Sequence, residues 1–425
     1  MTDQIDSDIV IIGAGLAGTS TALLLAPLID QGCSITLIEQ HTLAIKDASS
    51  LPSFDGRATA LSYGSRSILE SIGVWQGLNP NSCPIHHIEV SDQGHFGQAH
   101  LHADEQNVDA LGYIAPNFYL GRTLVDVLLN HTNIRVQEKT EVIAIEHLEN
   151  KASLSLSNGE TLSCRLLILA DGGRSPIFQG LGIYQTKRSY GAHAIVTQVT
   201  TDQPHANWAY ERFSEFGPIA FLPLNQRDYA VVWTVSDDDL SPVMDYGDND
   251  FITELQKRIG YRVGCITTVG ARASYPLSRI TATEQIRPNI VLVGNAAHSL
   301  HPVAGQGFNL TLRDAARLAE HIQQAYSDGY DIGSLTVLQA YRDAQRRDQQ
   351  ITIAASDWLP RIFNQKGKWL QRSRDIGLLA LSAAPTARRL FTRQAMGMGS
   401  PAARHLAPDK TSRGTDSSAT KGSLL

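Results

Sequence analysis

Four stretches of the chain combine glycine with polar side chains at spacings suited to holding an anionic cofactor. In the first, apolar residues 9–12 enter Gly13-Ala14-Gly15-Leu16-Ala17-Gly18, an apolar run comes next, and a β-rich run ends on Glu39, 21 positions after Gly18. Gly13 permits a tight strand-to-helix turn, Gly15 leaves room for a pyrophosphate where a Cβ would stand, and Gly18 lets the helix lie close on the strands. The helix N-terminus directs free N–H groups and the positive end of its dipole at phosphates. Glu39 then stands where an acceptor can take the ribose hydroxyls of an adenosine. Three glycines alone are a weak signal; strand, triplet, helix, strand and terminal acid together read as a dinucleotide fingerprint.

The second stretch ends the apolar strand 166–170 at Asp171-Gly172-Gly173-Arg174, and the third ends the strand 290–293 at Gly294-Asn295. Each places a polar side chain and bare backbone at the carboxyl edge of a sheet, where open α/β sheets bind ligands. By itself Asp-Gly is a common turn. In the fourth, Gly305-Gln306-Gly307 opens a long helix carrying Leu310, Leu318 and Ile322, a second helix start that favours negative charge. Two such sites in one chain suit a dinucleotide whose redox ring is held apart from its adenosine. A reduced flavin is negative on its pyrimidine side, and a helix N-terminus beside it contributes up to ~2 kcal/mol. That points to FAD rather than NAD.

Other candidates are less specific. Arg57 precedes a helix predicted over 60–72 and reads equally as a phosphate or flavin contact and as a solvated arginine; Arg122 falls in the first turn of a helix predicted over 120–130. His298 and His301 are spaced like a helical metal doublet, but no glutamate lies between them, no third ligand is near, and Pro302 breaks a helix there. Lining a pocket or satisfying a turn suits them better, and no metal is expected.

The elements that must position these residues can be read from periodicity. Pro27 should end the first helix near Ala26. Residues 84–102 read as short strands broken at Gly94 and Gly97, 134–136 and 142–145 as strands, and 153–156 with 161–170 as a hairpin turning at Asn158-Gly159. Residues 195–199, 209–213, 219–224 and 229–234 read as a mostly antiparallel sheet, 237–250 as an acidic loop, 251–259 as a short helix, and the chain beyond Asp343 mostly as helix. The expected class is α/β with an α+β second domain. Residues 1–75, 120–180 and 276–345 form the Rossmann-like FAD-binding domain, 76–119 and 181–275 a substrate domain, 346–400 a helical segment, and 401–425 a polar, disordered tail.

A net charge of −6 and a pI near 6.2 argue against nucleic acid as a partner. Cys33, Cys83, Cys164 and Cys265 show no paired spacing, which suits reduced thiols in a cytoplasmic protein. The apolar run 9–29 has an acidic flank and is broken by glycines and Pro27, so it reads as neither a signal peptide nor a membrane helix. Between Arg361 and Arg393 there are eight Lys or Arg and one acid, interleaved with Trp369, Leu370, Ile376 and other apolar residues. That pattern suits peripheral contact with an anionic inner-membrane surface, or packing on the rest of the protein.

The glycine motif with Glu39, Arg57, the Ala-Asp-Gly segment at 170–172 and the run 294–315 resemble the flavoprotein monooxygenases of the aromatic hydroxylase type, over residues 5 to 345. Segments 210–224 and 294–310 look closest to the hydroxylases of ubiquinone biosynthesis, especially those acting on 2-polyprenyl-6-methoxyphenol. The resemblance implies that Gly13, Gly15, Gly18 and Glu39 hold the ADP half of FAD. Arg57, Arg122, Asp171, Gly172, Gly294 and Asn295 would lie along its pyrophosphate, ribityl chain and ring, and Gly305, Gln306 and Gly307 beside the pyrimidine edge. Where the family has Gly-Asp, this chain has Gly294-Asn295, which removes a charge and keeps a hydrogen-bonding side chain. The implied chemistry is reduction of FAD by NAD(P)H at a transient site, formation of a flavin C4a-hydroperoxide with O2, and oxygen transfer to a polyprenyl phenol, with other ubiquinone-biosynthesis proteins as partners. His298, Pro302 and residues 218–223 are the candidates for the pocket lining. The competing expectations are a related hydroxylase acting on another ring position or a soluble aromatic, and a flavin-fold lipid carrier or scaffold without turnover.

Overall fold

The computed structural model describes residues 5–43, 57–94, 98–130, 133–173, 177–214, 217–300 and 306–364, with 389, 392, 393, 396 and 397, apart from the side chains at 179 and 357–364. His301, Pro302, Gly305, Arg174, most of 361–393 and the tail 401–425 therefore lie outside the described residues.

Ser7–Ile12 is apolar enough to be buried on both faces, and it takes the centre of an eight-stranded sheet. Its neighbours are Thr161–Leu169 on one side and Ile35–Ile38 on the other; Ile290–Leu292 and Arg135–Gln137 continue the sheet outward, all in parallel. Alternate side chains separate two cores. Ile9, Ile11, Ile35, Leu37, Leu166 and Ile168 pack on one face, in one cluster with residues of helices Leu16–Leu25, Asn117–Asn130 and Gln306–Ser327. Val10, Ile12, Leu167, Leu169, Ile290 and Leu292 pack on the other, with the hairpin of Ala152–Leu156 and Thr161–Leu169 and the short helix Ile177–Gly180. The first helix stops at Leu25 and tightens into a 3-10 turn, Ala26–Gln31, with Pro27 at its start.

A nine-stranded sheet stands beside it, antiparallel except where Trp208–Phe213 pairs with His87–Asp92. One face is covered by Asp237–Met244 and Asp248–Ile259, around Trp233, Tyr229, Phe221, Phe251 and Leu255. On the other, Ala209 packs with Ile85 and Ile114 of a small third sheet formed by Ala58–Ser62, Gly112–Pro116 and Cys83–Ile85.

Three local expectations change. The helix predicted over 60–72 is strand Ala58–Ser62 followed by helix Tyr63–Ser71, because the Ser62 hydroxyl accepts from the Ser65 N–H and so caps the helix there. The acidic stretch 237–250 forms a helix over Asp237–Met244: Ser236 caps it through the Asp239 N–H, and Asp237, Asp238 and Asp239 complement its positive end. The 120–130 helix begins at Asn117, which moves Arg122 out of the first turn.

Candidate active site

The parallel register brings the sequence motifs to one edge. Leu292, Leu169, Ile12 and Ile38 are aligned as Cα partners across four adjacent strands, so each chain leaves the sheet at the same level. Just beyond these strand ends stand Gly294-Asn295, Asp171-Gly172, Gly13 and Glu39, one motif to each exit. Backbone bonds join the exits: Gly13 N–H donates to Ile38 O at 2.8 Å, Ala170 N–H to Ile12 O at 2.9 Å, and Val293 N–H to Leu169 O at 2.9 Å.

Three glycines press the motifs together. A Cβ on Gly13 would stand 2.8 Å from Ala170 O and 2.9 Å from Asp171 Cα; one on Gly18 would stand 1.8 Å from Gly13 O. A Cβ on Gly294, whose φ is +67°, would stand 2.8 Å from Ala17 Cβ and 3.4 Å from Thr311 Cγ2. The third motif is thus wedged between the helix that the first motif opens and the Gln306–Ser327 helix. Gly15 is the N-terminal cap of Leu16–Leu25 in extended conformation, with no side chain over the helix start. Glu39, buried, accepts from the Ala14 N–H at 2.7 Å and the His41 N–H at 3.0 Å, which fixes its carboxylate beside the glycine turn.

On the second exit, Asp171 accepts from the Gly173 N–H at 3.0 Å, while nothing lies within 4 Å of the space a Gly172 Cβ would take. Asn295 is exposed at the edge. Gln306 and Gly307 begin the 22-residue fourth-motif helix and are partly exposed. Arg57 leads into the small sheet, its guanidinium 4.8 Å from the ring centroid of Tyr275 in the nine-stranded sheet. Arg122 lies on the exposed side of its helix, 3.8 Å from Asp126, a contact that does not join it to the strand ends.

His298 is placed differently from a pocket-lining residue. Its ring is wholly enclosed, with Nε2 2.6 Å from Asp314 Oδ2, and Gln349 Nε2 donates to that same oxygen at 3.0 Å. With its ring enclosed in this way, His298 ties the turn after Gly294 to the Gln306–Ser327 helix. Two neighbours on that helix anchor other parts. Asn309 accepts from the Ser62 N–H at 2.8 Å and the Ser65 hydroxyl at 2.6 Å and donates to Ala60 O at 2.7 Å; Arg313 Nε donates to Asp348 at 2.7 Å. Sequence reading passes over Asn309, Arg313 and Asp314, whose polar side chains in an otherwise apolar stripe are the available signal.

Among the described residues no group of three or more His, Cys, Asp or Glu could hold a metal. Cys33, Cys83 and Cys164 are free and buried, and burial pushes their thiols up to about 12, 11 and 12, far from the thiolate a nucleophile needs. The arrangement gathers at one sheet edge a glycine turn with no room for a Cβ at Gly13 or Gly18, a buried acid beside it, and a second helix start, the kinds of group that suit a dinucleotide.

Known proteins agree. Ubiquinone hydroxylase UbiL of Rhodospirillum rubrum is 32% identical over 396 residues, 92% of this chain and 90% of that protein. The 3-demethoxyubiquinol 3-hydroxylase of Escherichia coli is 31% identical over 403 residues, 94% of this chain and 100% of that protein. In fold the chain is similar to PqsL of Pseudomonas aeruginosa, with a TM-score of 0.73 at 20% identity over 88% of this chain and 99% of that one. It is also similar to p-nitrophenol 4-monooxygenase PnpA of Pseudomonas putida, with a TM-score of 0.72 at 18% identity over 93% and 99%. No helix among the described residues is long and apolar enough to cross a membrane. With the FAD binding domain family matching residues 6–352, the chain belongs to that family and is an FAD-dependent monooxygenase.

Proposed function

We propose that the protein hydroxylates the aromatic ring of a polyprenylated phenol in ubiquinone biosynthesis, using O2 and NAD(P)H as a transient reductant. The observation that carries this reading is the single sheet edge on which Gly13, Glu39, Asp171 and Gly294 leave four aligned strands, in a chain whose relatives are named as ubiquinone hydroxylases.

Gly13, Gly15, Gly18 and Glu39 would hold the adenosine diphosphate half of FAD; Asp171, Gly172, Asn295 and Arg57 would line the path toward the ring, and Gln306 and Gly307 would direct backbone N–H groups at its negative side. FAD bound there supplies the activation of O2 and the transfer of one oxygen atom to the substrate. The chain's own task is to orient the phenol and exclude water. The eight-stranded sheet with its helices serves as the cofactor domain, and the nine-stranded sheet as the wall over the substrate. A basic, Trp- and Leu-bearing segment between 361 and 393 gives the enzyme peripheral access to a membrane from which a polyprenyl chain is collected.

The test is turnover under 18O2. Purified full-length protein with FAD, NAD(P)H and a short-chain prenyl phenol should yield a product one labelled oxygen heavier by mass spectrometry. NAD(P)H consumption with an unlabelled or unchanged phenol would overturn the reading.

A further inference from the structure

The face of the nine-stranded sheet that Arg57 meets at Tyr275 can be followed through its register. Tyr275 is opposite Ala194, and Ala194 opposite Thr234; two residues along, Val196, Val232, Ala220, Glu211 and Val90 form the next row across five strands. Residues opposite one another share a face. This is also the face on which Ala209 packs against the small sheet, since Ala209 is two residues before Glu211. It is therefore the side turned toward the cofactor domain, and the positions around Glu211 on it, Val90, Ala220, Leu222 and Val232, are apolar. Val90, Val196, Val232 and Leu222 on it keep partial exposure, as does Glu211 itself.

The carboxylate of Glu211 has no hydrogen-bond or ion-pair partner among the described residues. Its neighbour on the opposite face shows the contrast: Glu89, beside Tyr210 in register, is bound by Arg262 Nε at 2.6 Å and lies 3.5 Å from His100 Nε2. Glu211 is packed closely enough that burial alone pushes its carboxyl up to about 7. Two other acids share this face, Asp92 in the row of Phe213 and Asp228 at the start of the strand that carries Val232, where the Thr200 hydroxyl donates to it; Tyr275, with Arg57 over it, is four strands away. From the small sheet, Ala58, Ala60, Ile85 and Ile114 pack against this face. None of these groups contributes to the rise at Glu211.

We infer that Glu211 is the acceptor for the substrate's phenolic proton. The inference rests on the ring-hydroxylase reading, and it assigns the acid–base residue for it. As the phenol O–H bond breaks, the proton passes to a Glu211 carboxylate oxygen and the bonding pair stays on the phenol oxygen, raising electron density at the ring carbons ortho and para to it. The carboxylic acid afterwards returns its proton to water. An otherwise apolar row of the sheet supplies one acceptor and so sets which way round the ring lies.

The test uses the full chain with FAD, 2-geranylphenol and its methyl ether, with binding read from the flavin absorbance. For wild type the Kd of the phenol should rise roughly tenfold from pH 8 to pH 6 as the ionised fraction falls, while the ether shows no such change. In Glu211→Gln both ligands should be insensitive to pH, with flavin content retained and a melting midpoint at pH 8 no lower than that of wild type. Hydroxylation should drop by roughly 10²-fold or more and lose its inflection near neutrality, with Kd at pH 6 little changed. If the ether shares the phenol's pH dependence, or the variant keeps the wild-type profile, the assignment is wrong. Wild-type pH-dependent phenol binding without oxygen insertion would instead retain Glu211 as the acceptor and overturn the hydroxylase reading.

Discussion

Replacing three glycines by alanine should rank by what the added methyl meets. Gly172→Ala acts on the backbone alone: φ is +82° and the space is open, so the change costs about 1–2 kcal/mol. Gly294→Ala has the same kind of backbone cost at φ +67° and sets its Cβ 2.8 Å from Ala17 Cβ; overpacking of that sort adds about 1–3 kcal/mol, for about 2–5 in total. Gly18→Ala lies in a helix and incurs no φ penalty. Its Cβ, however, falls 1.8 Å from Gly13 O, a backbone atom with no rotamer to escape through, so the turn must move by more than an ångström. This should exceed ordinary overpacking and reach about 5 kcal/mol or more. Urea denaturation followed by far-ultraviolet circular dichroism gives the order, and flavin absorbance after desalting gives FAD retention, which should fail first in Gly18→Ala. If Gly18→Ala proves no worse than Gly172→Ala, the first helix is not seated on the glycine turn as described.

Glu39→Ala removes the acceptor of two backbone N–H groups and should weaken FAD binding by about 1–3 kcal/mol, seen as a higher Kd in fluorescence titration of refolded apoprotein; an unchanged Kd counts against its place at the adenosine. Glu211 makes a separate forecast for stability. With its folded pKa raised from 4.5 to about 7, the native state keeps a proton that the unfolded chain has released, so stability falls as pH rises between those values and the loss is complete above 7. Glu211→Gln should therefore be stabilised at pH 8 by at most about 3 kcal/mol and unchanged near pH 4; a gain independent of pH would show that charge is not its source.

The sequence reveals the motifs of the parallel sheet more readily than the face of the nine-stranded one. Glycine spacing and terminal polar residues are local signals, and 9–18, Glu39, Asp171 and Gly294 can be found one stretch at a time. Their meeting at one edge depends on strand register, which no single stretch contains. Residues 60–72 read as one helix because Leu61 fits both periodicities and Ser62 looks like any other serine until it is seen capping Ser65. The same limit hides Asn309, whose partners Ala60, Ser62 and Ser65 lie about 250 residues earlier. Glu211 sits in a strand beside Arg212, which suggests an ordinary charged pair; only the pleat shows that the two point to opposite faces and that Glu211 has no partner among the described residues.

The aligned strand ends also determine where this chain can change length. Losing one residue inside Ser7–Ile12 or Thr161–Leu169 would draw the next motif back by roughly 3.3 Å and turn alternate side chains to the wrong face. Asp171 and Gly294, by contrast, are separated by 123 positions, and the chain between them leaves the cofactor sheet, builds most of a second one and returns to an adjacent strand. Closing a longer excursion adds only about 0.6 kcal/mol per doubling of loop length. Insertions and deletions should accordingly collect in the excursions and stay out of the parallel strands, so that the nine-stranded sheet can be lengthened or recut while the aligned strand ends keep their residue count.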